Sequence, residues 1–265
     1  MPTDLVTYQV ADHIATITMN DPATLNAIST PMKNALMAAL IEADSDDDVR
    51  VIVLQGSNQN FSSGGHIGEM LENGTKTEAL AEKIEAMVSG VAELSLKLRT
   101  VYKPVIAKLE GAVAGAGMNL ALTCDFRIAS DNAKFVQAFV NIGLIPDAGG
   151  IYLLTQLIGA AKTTELVMLG DKLTAEDMKR LDLVNEVTSA AHIDDCTQHL
   201  AKRLSQLPSK ALATMKDMIN THAFMGLNEA LDMEVHQQTM MAQTADFKEG
   251  ISAFMEKRTP NYQNK

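Results

Sequence analysis

The sequence predicts an α/β protein in which strand–strand–helix units repeat and an all-helical tail follows. Short apolar or alternating segments, typical of β-strands, precede helical patterns up to about residue 190. Three junctions between such segments and helices, at residues 61–67, 111–117 and 143–150, are rich in small residues and glycine. Repetition of one unit favours a coiled stack over two independent domains. We therefore expect a ββα core over residues 1–190 and a helical region over residues 191–265.

Composition excludes several classes of protein. The chain has 265 residues, 46% of them apolar and 21% charged, which is typical of a soluble globular domain. Its net charge of −11 argues against a nucleic-acid partner, because phosphate binding needs a basic face. We see no secretory leader and no apolar run of the ~20 residues that span a membrane, so a cytoplasmic protein is expected. Cys124 and Cys196 lack metal or redox spacing, and no metal site is predicted.

The N-terminal segments predict a hairpin followed by a helix. Residues 5–10 and 13–19 alternate between apolar and polar side chains around a short turn, as the two strands of a β-hairpin do. Residues 25–28 follow as a short extended piece. Ser29 or Thr30 is expected to cap a helix that has Pro31 at its first position and ends near Ala43. Five side chains would form its apolar face: Met32, Leu36, Met37, Leu40 and Ile41.

The remaining segments continue the repeat. Strands are predicted at residues 51–54, 105–107, 126–129, 134–137 and 183–187. Helices are predicted at residues 77–100, 118–122 and 151–158, and residues 174–180 form a short helix with a capping box. Beyond residue 190 nearly everything is helical. Six methionines on apolar faces there indicate core or a subunit interface: Met215, Met218, Met225, Met233, Met240 and Met241.

Two glycine-rich junctions have a composition suited to binding an anion. A helix that starts in such a turn leaves backbone N–H groups free and directs its positive dipole end towards one point. If the junctions at residues 61–67 and 111–117 each donate one N–H to the same oxygen, they form an oxyanion hole. The alternative is that these glycines only allow close packing of a helix on a strand.

Four motifs in order resemble those of one family. F-S-S-G-G-H at residues 61–66 resembles F-C-A-G-A-D, and E-G-A-V-A-G-A-G at residues 110–117 resembles N-G-x-A-x-G-G-G. I-G-L-I-P-D-A-G-G at residues 142–150 is similar to I-G-x-x-P-x-x-G-G. F-M-E-K-R at residues 254–258 is similar to F-x-E-K-R. Over essentially its whole length the chain thus resembles the crotonase superfamily, the enoyl-CoA hydratase/isomerase group.

This resemblance implies a fold, an assembly and a ligand. The fold would be a ββα spiral core with an α-helical C-terminal trimerisation region, in homotrimers or dimers of trimers. The ligand would be an acyl-CoA thioester, with coenzyme A as part of the substrate and no separate cofactor. The N–H groups of Ser63 and Ala116 would hold the thioester oxygen. The resemblance places further residues along the substrate and CoA path, the last two of them reaching the CoA of a neighbouring subunit: Leu25, Gly64, Gly65, His66, Ile67, Gly115, Phe139, Phe254 and Lys257.

The departures from the family pattern concern the acid/base groups. Hydratases of this family carry two Glu residues, and this chain has Asn119 and Phe139 at those positions. Hydration needs one group to activate water and one to deliver a proton, and neither Asn nor Phe can do so as Glu does. The acid/base pair of a hydratase is therefore missing. Asp147 lies where isomerase-type members have a single Asp, including members that act on phenylacetate-derived ring CoA esters. The sequence thus predicts an enoyl-CoA isomerase with Asp147 as the single acid/base.

Other interpretations remain open at this point. Asp147 could instead be a helix N-cap, and a helix N-terminus lowers a carboxyl pKa whereas apolar neighbours such as Phe139 and Ile145 raise it. An enoyl-CoA hydratase of fatty-acid β-oxidation, with His66 in the acid/base role, is one alternative. A non-catalytic acyl-CoA-binding homologue is another. A dehalogenase with Asp147 as nucleophile is disfavoured because the chain has no Trp.

Two more expectations concern cofactor and substrate choice. An NAD-dependent dehydrogenase is disfavoured because Leu120 leaves the G-x-G-x-x-G fingerprint incomplete. The acyl pocket is expected to be shaped by a lid over residues 70–88, and the sequence does not predict which acyl group fits it.

Overall fold

The computed structural model describes residues 5–71 and 77–264, and all structural statements below refer to these residues. The strands are β1 (Val6–Ala11), β2 (Ile14–Met19), β3 (Val51–Gly56), β4 (Val105–Leu109), β5 (Ala112–Ala114), β6 (Phe126–Ser130), β7 (Lys134–Val136), β8 (Lys172–Thr174) and β9 (Glu186–Thr188). The helices are α1 (Thr30–Ser45), α2 (Ile67–Leu71), α3 (Thr77–Thr100), α4 (Gly115–Thr123), α5 (Gly150–Leu169), α6 (Ala175–Arg180), α7 (Ile193–Ser205), α8 (Ser209–Ala223), α9 (Leu227–Met241) and α10 (Ala245–Glu256).

The strands form two sheets. The larger sheet has the order β1-β2-β3-β4-β6-β9, in which only the β1–β2 hairpin is antiparallel. The smaller sheet has the order β5-β7-β8. The predicted hairpin is confirmed, whereas the three-residue strands β5 and β8 were not predicted. Since β3 and β4 are parallel neighbours, the chain leaves both at the same edge of the sheet, where ligand sites of parallel sheets form.

Helix α1 has the predicted cap, but its buried face is narrower than predicted. The Ser29 hydroxyl accepts a hydrogen bond from the Met32 N–H at 3.3 Å, so Ser29 is the cap and Pro31 lies in the first turn. Ile41, expected on the apolar face, is 50% exposed, because the buried stripe runs through Met32, Leu36 and Leu40. The predicted face was therefore too wide.

Residues 25–28 do not form the extended piece that was predicted. A short 3-10 helix over Pro22–Thr24 ends with Leu25 and Asn26 in the left-handed region, at φ 56° and 59°. The Asn26 side chain is fully buried and donates to the carbonyls of Ser57 and Asn60. These bonds stabilise the left-handed turn and fasten it to the loop after β3.

Three further differences lie in the second half of the chain. Helix α5 runs to Leu169 through a bend at Gly159, whose φ of 76° is outside the helical region. Strand β9 covers only the last residues of the predicted strand at 183–187. Five of the six tail methionines are exposed within the single chain, so their prediction as core was wrong and their prediction as a subunit interface stays open: Met215, Met218, Met225, Met233 and Met240.

A buried charge cluster fastens the helical tail to the core. The Asp125 carboxylate, at the start of β6, lies 3.1 Å from the Arg99 guanidinium of α3 and 2.8 Å from the Lys216 ammonium of α8. It also accepts the Val105 N–H at 2.8 Å. Burial lowers the pKa of Lys216, and the Asp125 charge opposes that effect. One carboxylate therefore joins three elements of the core to the tail.

We expect Asp125→Asn to lower the free energy of unfolding by about 3–5 kcal/mol, because it leaves two buried cations without their counter-charge. Urea unfolding at a fixed protein concentration measures the loss. Asp217→Asn is the matched control, since Asp217 is an exposed residue one position from Lys216. Equal stability of the two variants would show that the cluster contributes nothing.

No helix in the described ranges is both long and apolar enough to cross a membrane.

Candidate active site

A cavity of about 570 Å³ opens where the turns after β3 and β5 meet. One wall consists of these glycine-rich turns, and the opposite wall is apolar and comes from α3, with Ile84, Met87, Val88 and Val91. The 3-10 helix over Ala138–Ile142 and the tail close the remaining sides. Among the described residues that line the cavity, Asp147 is the only carboxylate and Lys172 the only cation. The cavity thus combines an apolar interior with a single acidic group.

Backbone pairing brings the two turns together. The Ser62 N–H donates to the Ala112 carbonyl and the Ala114 N–H donates to the Ser62 carbonyl, at 2.9 and 3.0 Å. A side chain at position 117 would not fit this approach, since a Cβ on Gly117 would lie 2.6 Å from the Ser62 Cβ. Gly64 has a φ of +96°, which favours glycine, and a Cβ there would lie 2.8 Å from the Ala114 carbonyl oxygen. The small residues are therefore required where the turns touch.

The Ser63 N–H does not serve as the hole donor that the sequence predicted. It donates to the Leu25 carbonyl at 2.9 Å, because the left-handed turn at Leu25 places that oxygen against it. The Gly65 N–H, two residues on, has no acceptor among the described residues and lines the cavity. The Ala116 N–H lies in the first turn of α4, where N–H groups have no partner within the helix. Gly65 and Ala116 are thus the two candidate donors.

Asp147 lies in the loop before α5 and lines the cavity. Its residue is 8% exposed, and its Oδ1 is buried without a hydrogen-bond partner in the described structure. Burial raises the pKa of Asp147 from 3.8 to about 7, and the residue's own backbone N–H opposes that rise. Burial, one of the two effects weighed from the sequence, is therefore the larger of the two causes that act on this carboxyl here. A carboxyl with a pKa near neutral suits a general base.

Asp147 is not the helix cap of the alternative interpretation. The N-cap residue of α5 is Gly149, in the left-handed region at φ 82°, and this residue makes no side-chain capping hydrogen bond. The Asp147 carbonyl accepts from the Gly150 N–H at 2.9 Å and from the Asn119 side-chain amide at 2.8 Å. The Asp147 backbone is thereby fixed while its carboxyl remains available.

Asn119 and Phe139, the departures from the hydratase pattern, both have structural roles. The fully buried Asn119 amide bridges the Asp147 carbonyl and the Gln137 side chain, which donates to it at 2.7 Å. Phe139 is 7% exposed and lines the cavity, and its ring lies 3.6 Å from where a Cβ of Gly115 would be. Neither group can transfer a proton as a carboxylate does. Hence the positions of the missing Glu pair carry no acid/base group here.

The other predicted site residues are distributed between the cavity and the surface. Leu25, Gly64, Gly115, Ile67 and Phe254 line the cavity, as do Ser63 and Phe139. His66 and Lys257 do not line it. The His66 Nδ1 accepts the Glu69 N–H at 2.9 Å, and Lys257 ends α10 with a φ of 54°. Their predicted contacts with CoA stay predictions.

The predicted lid and two residues of the tail complete the surroundings of Asp147. From the lid, Met70, Ile84, Met87 and Val88 line the cavity, and residues 72–76 lie outside the described residues. Glu234 and Gln238 of α9 contact the loop that carries Asp147. Sequence reasoning missed them because they lie more than 80 residues away from that loop and belong to no motif.

We expect the substitution Asp147→Asn to stabilise the protein increasingly as pH rises. The folded-state pKa is raised, so the contribution of this group is fully present below its usual pKa of 3.8 and is lost as pH rises through about 7. Asn does not titrate and avoids that loss. The measurement is the melting temperature of both proteins at several pH values between about 5 and 8. A difference that does not change with pH would contradict a raised pKa.

The arrangement can stabilise a negative charge and move a proton. The Gly65 and Ala116 N–H groups both belong to residues that line the cavity, and donors that reach the same oxygen favour an oxyanion over a neutral carbonyl. A single buried carboxyl on the same cavity can accept a proton from a neighbouring carbon and return it. We find no cluster of acidic, His or Cys side chains suited to a metal ion in the described ranges.

Comparisons with known proteins agree on one family. A family model described as enoyl-CoA hydratase/isomerase matches residues 9–265. Trans-2-decenoyl-acyl-carrier-protein isomerase of Streptococcus mutans is 36% identical over 264 residues, with 98% of each chain covered. The 1,2-epoxyphenylacetyl-CoA isomerase of Escherichia coli K12 is 33% identical over 263 residues, with 99% of each covered.

A solved structure shows that the fold is shared. The crystal structure of an enoyl-CoA hydratase from Mycobacterium avium subsp. paratuberculosis K-10 matches with a TM-score of 0.87 and 29% identity, covering 99% of this chain and 100% of that one. The predicted α/β spiral core with a helical C-terminal region is thus confirmed. The chain belongs to the enoyl-CoA hydratase/isomerase family, in the crotonase superfamily.

Proposed function

We propose that this enzyme is an enoyl thioester isomerase that moves a carbon–carbon double bond with Asp147 as its single acid/base. The observation that carries the proposal is that Asp147 is the only carboxyl among the described residues that line the cavity, with its pKa raised by burial to about 7. Hydration needs a second acid/base group, and the corresponding positions are Asn119 and Phe139. Isomerisation needs only one group, because the proton removed from one carbon is returned to another.

The proposed reaction has two proton transfers. The Asp147 carboxylate removes a proton from C2 of a 3-enoyl thioester, and the electron pair of that C–H bond passes to the thioester oxygen. The N–H groups of Gly65 and Ala116 stabilise the resulting dienolate. The carboxylic acid of Asp147 then delivers the same proton to C4, and the double bond forms between C2 and C3. The substrate and product are isomers, so no atom or electron is gained or lost overall.

The substrate we propose is an apolar acyl thioester. The described side chains with which α3 lines the cavity are aliphatic or thioether groups, which favour a hydrocarbon acyl group. The relatives are named for thioesters of acyl-carrier protein and of coenzyme A, and for decenoyl and epoxyphenylacetyl groups. An unbranched enoyl-CoA suits the apolar wall better than an epoxide does. We propose CoA as the carrier because the matching family model is described by enoyl-CoA, and we test the acyl-carrier-protein thioester beside it.

We also propose that the chain assembles into trimers or pairs of trimers. In the single chain, several large apolar side chains of the tail are half exposed or more, including Met218, Ile219 and Met225. Apolar patches of this kind are typical of subunit interfaces. Sedimentation equilibrium gives the assembly state directly, and a monomer at micromolar concentration would contradict the proposal.

The decisive experiment compares two reactions of the wild-type protein. Purified protein is incubated with 3-decenoyl-CoA, and formation of the conjugated 2-enoyl thioester is followed by its ultraviolet absorbance. Crotonyl-CoA and 2-decenoyl-CoA serve as hydration substrates, followed by loss of the same absorbance. We expect isomerisation to exceed hydration by at least about 100-fold, the usual contribution of one acid/base group.

The other outcomes separate the alternatives. Efficient hydration would establish a hydratase and would point to an acid/base group other than Asp147. Tight binding of decanoyl-CoA without any turnover would favour a non-catalytic acyl-CoA-binding protein. Turnover of the 3-decenoyl thioester of acyl-carrier protein, but not of CoA, would support the proposed isomerisation and show that the carrier is acyl-carrier protein.

A further inference from the structure

Helix α9 holds the loop of Asp147 on both sides. The Gln238 side chain accepts the Ile145 N–H at 2.9 Å and donates to the Ile145 carbonyl at 2.8 Å. The Glu234 Oε2 accepts the Gly149 N–H at 2.7 Å. Ile145 and Gly149 lie two residues before and two residues after Asp147. Because Glu234 and Gln238 are one helical turn apart, they face the same side of α9 and contact the loop together.

The side chains of Glu234 and Gln238 are both buried. Glu234 is 6% exposed and Gln238 is 1% exposed. The Glu234 Oε1 is buried without a hydrogen-bond partner in the described structure, as is the Asp147 Oδ1. A carboxyl group is costly to bury unless its charge is paired or it remains neutral. Burial, together with the nearby Asp147 charge, raises the pKa of Glu234 to about 8, whereas the Gly149 N–H opposes that rise.

Burial favours the neutral form of Glu234 at neutral pH, while the Gly149 and Ile151 N–H groups favour its charged form. In the neutral form Glu234 accepts the Gly149 N–H without placing a second negative charge near Asp147. The neutral acid also has nearly the same shape as Gln, so Glu234→Gln keeps the accepting oxygen and removes only the titration. This relation provides a conservative variant for a test.

We propose that Glu234 and Gln238 are positioning residues, which together fix the backbone on either side of Asp147 and so direct its carboxyl at the substrate carbons. This inference rests on the proposed role of Asp147. The tail is then part of the active site as well as the region that we expect to assemble subunits. Proton transfer between C2 and C4 needs one carboxyl to reach both carbons, and a misplacement of about 1 Å lowers such rates by about 100-fold.

The test measures steady-state kinetics with 3-decenoyl-CoA for Glu234→Ala, Glu234→Gln and Gln238→Ala. We expect both Ala variants to lower kcat by about 100-fold. KM should change little for Glu234→Ala, because Glu234 does not line the cavity, whereas Gln238 does line it, so Gln238→Ala can also raise KM. Glu234→Gln should keep most of kcat. It should also alter the pH profile above about pH 8, where Glu234 of the wild-type protein loses its proton. A purely structural role would not give this separation of kcat from KM or this rescue by Gln.

Matched controls come from the same helix. Gln237→Ala changes an exposed glutamine beside Gln238, and Glu229→Ala changes an exposed glutamate in the first turn of α9. Both should leave kcat, KM and the melting temperature as in the wild-type protein. Circular dichroism and the assembly state of every variant show whether it is folded. If Glu234→Ala does not fold, Glu234→Gln and Gln238→Ala still decide the matter.

The outcomes separate this inference from the proposed function. If Asp147→Asn abolishes isomerisation but Gln238→Ala and both Glu234 variants keep the wild-type kcat, the positioning role is wrong and the base is retained. If Asp147→Asn leaves isomerisation intact, the base itself is wrong. In the Asp147→Asn background, Glu234→Ala should cause no further loss, since it acts through the group already removed.

Discussion

Asp147→Asn is expected to lower kcat for isomerisation of 3-decenoyl-CoA by about 10²- to 10⁴-fold, the usual contribution of a general base. The amide of Asn cannot accept the C2 proton, but it is close in size to the carboxyl. KM should therefore change little, because the apolar wall and the two N–H donors are untouched. Stopped-flow binding of decanoyl-CoA, which cannot react, measures affinity separately from chemistry. Loss of binding together with loss of turnover would argue for a structural role.

The pH dependence of the wild-type protein is part of the same expected result. The carboxylate is the active form, so kcat/KM should rise with pH through about 7, where Asp147 titrates. An unperturbed Asp would already be ionised above about pH 5 and would give a flat profile in that range. Asp171→Asn, a change at an exposed aspartate, is the matched control and should keep the wild-type profile.

Ala116→Pro is expected to lower kcat by about 10²- to 10³-fold, because proline has no backbone N–H to donate to the thioester oxygen. Position 116 is the second residue of α4, where the N–H has no helical partner, so the substitution removes no hydrogen bond within the helix. Ala116→Gly retains the N–H and is the matched control. Comparison of the two by steady-state kinetics isolates the donor. If Ala116→Pro folds and turns over at the wild-type rate, the oxyanion is stabilised elsewhere.

The sequence predicted the fold from features that are local in the chain. The β1–β2 hairpin and helix α3 follow from alternation and from the 3.6-residue period, which side chains report directly. Residues 25–28 were predicted wrongly because the left-handed backbone of Leu25 depends on bonds that Asn26 makes more than 30 residues away. No local pattern reports such bonds.

The sequence predicted where the candidate site lies, but not which atoms form it. The motifs located Ala116 and Asp147 correctly on the cavity. They did not show that the Ser63 N–H is already bonded to Leu25, which leaves Gly65 as the second candidate donor. Nor did they show which effect controls the Asp147 pKa, because burial is a property of the packed chain. The contacts from α9 are invisible in the sequence for the same reason.

The tight packing of Asn119 limits how this scaffold can change during evolution. A Cβ on Gly150 would lie 2.3 Å from the Asn119 side-chain nitrogen, and Asn119 itself is fully buried. A glutamate at position 119, one methylene longer, would press on the start of α5 and give up the bond to the Asp147 carbonyl. A single mutation to glutamate at position 119 would therefore disturb the backbone of Asp147, the proposed base. We therefore expect a return to a carboxylate at position 119 to require a second, compensating substitution at the start of α5.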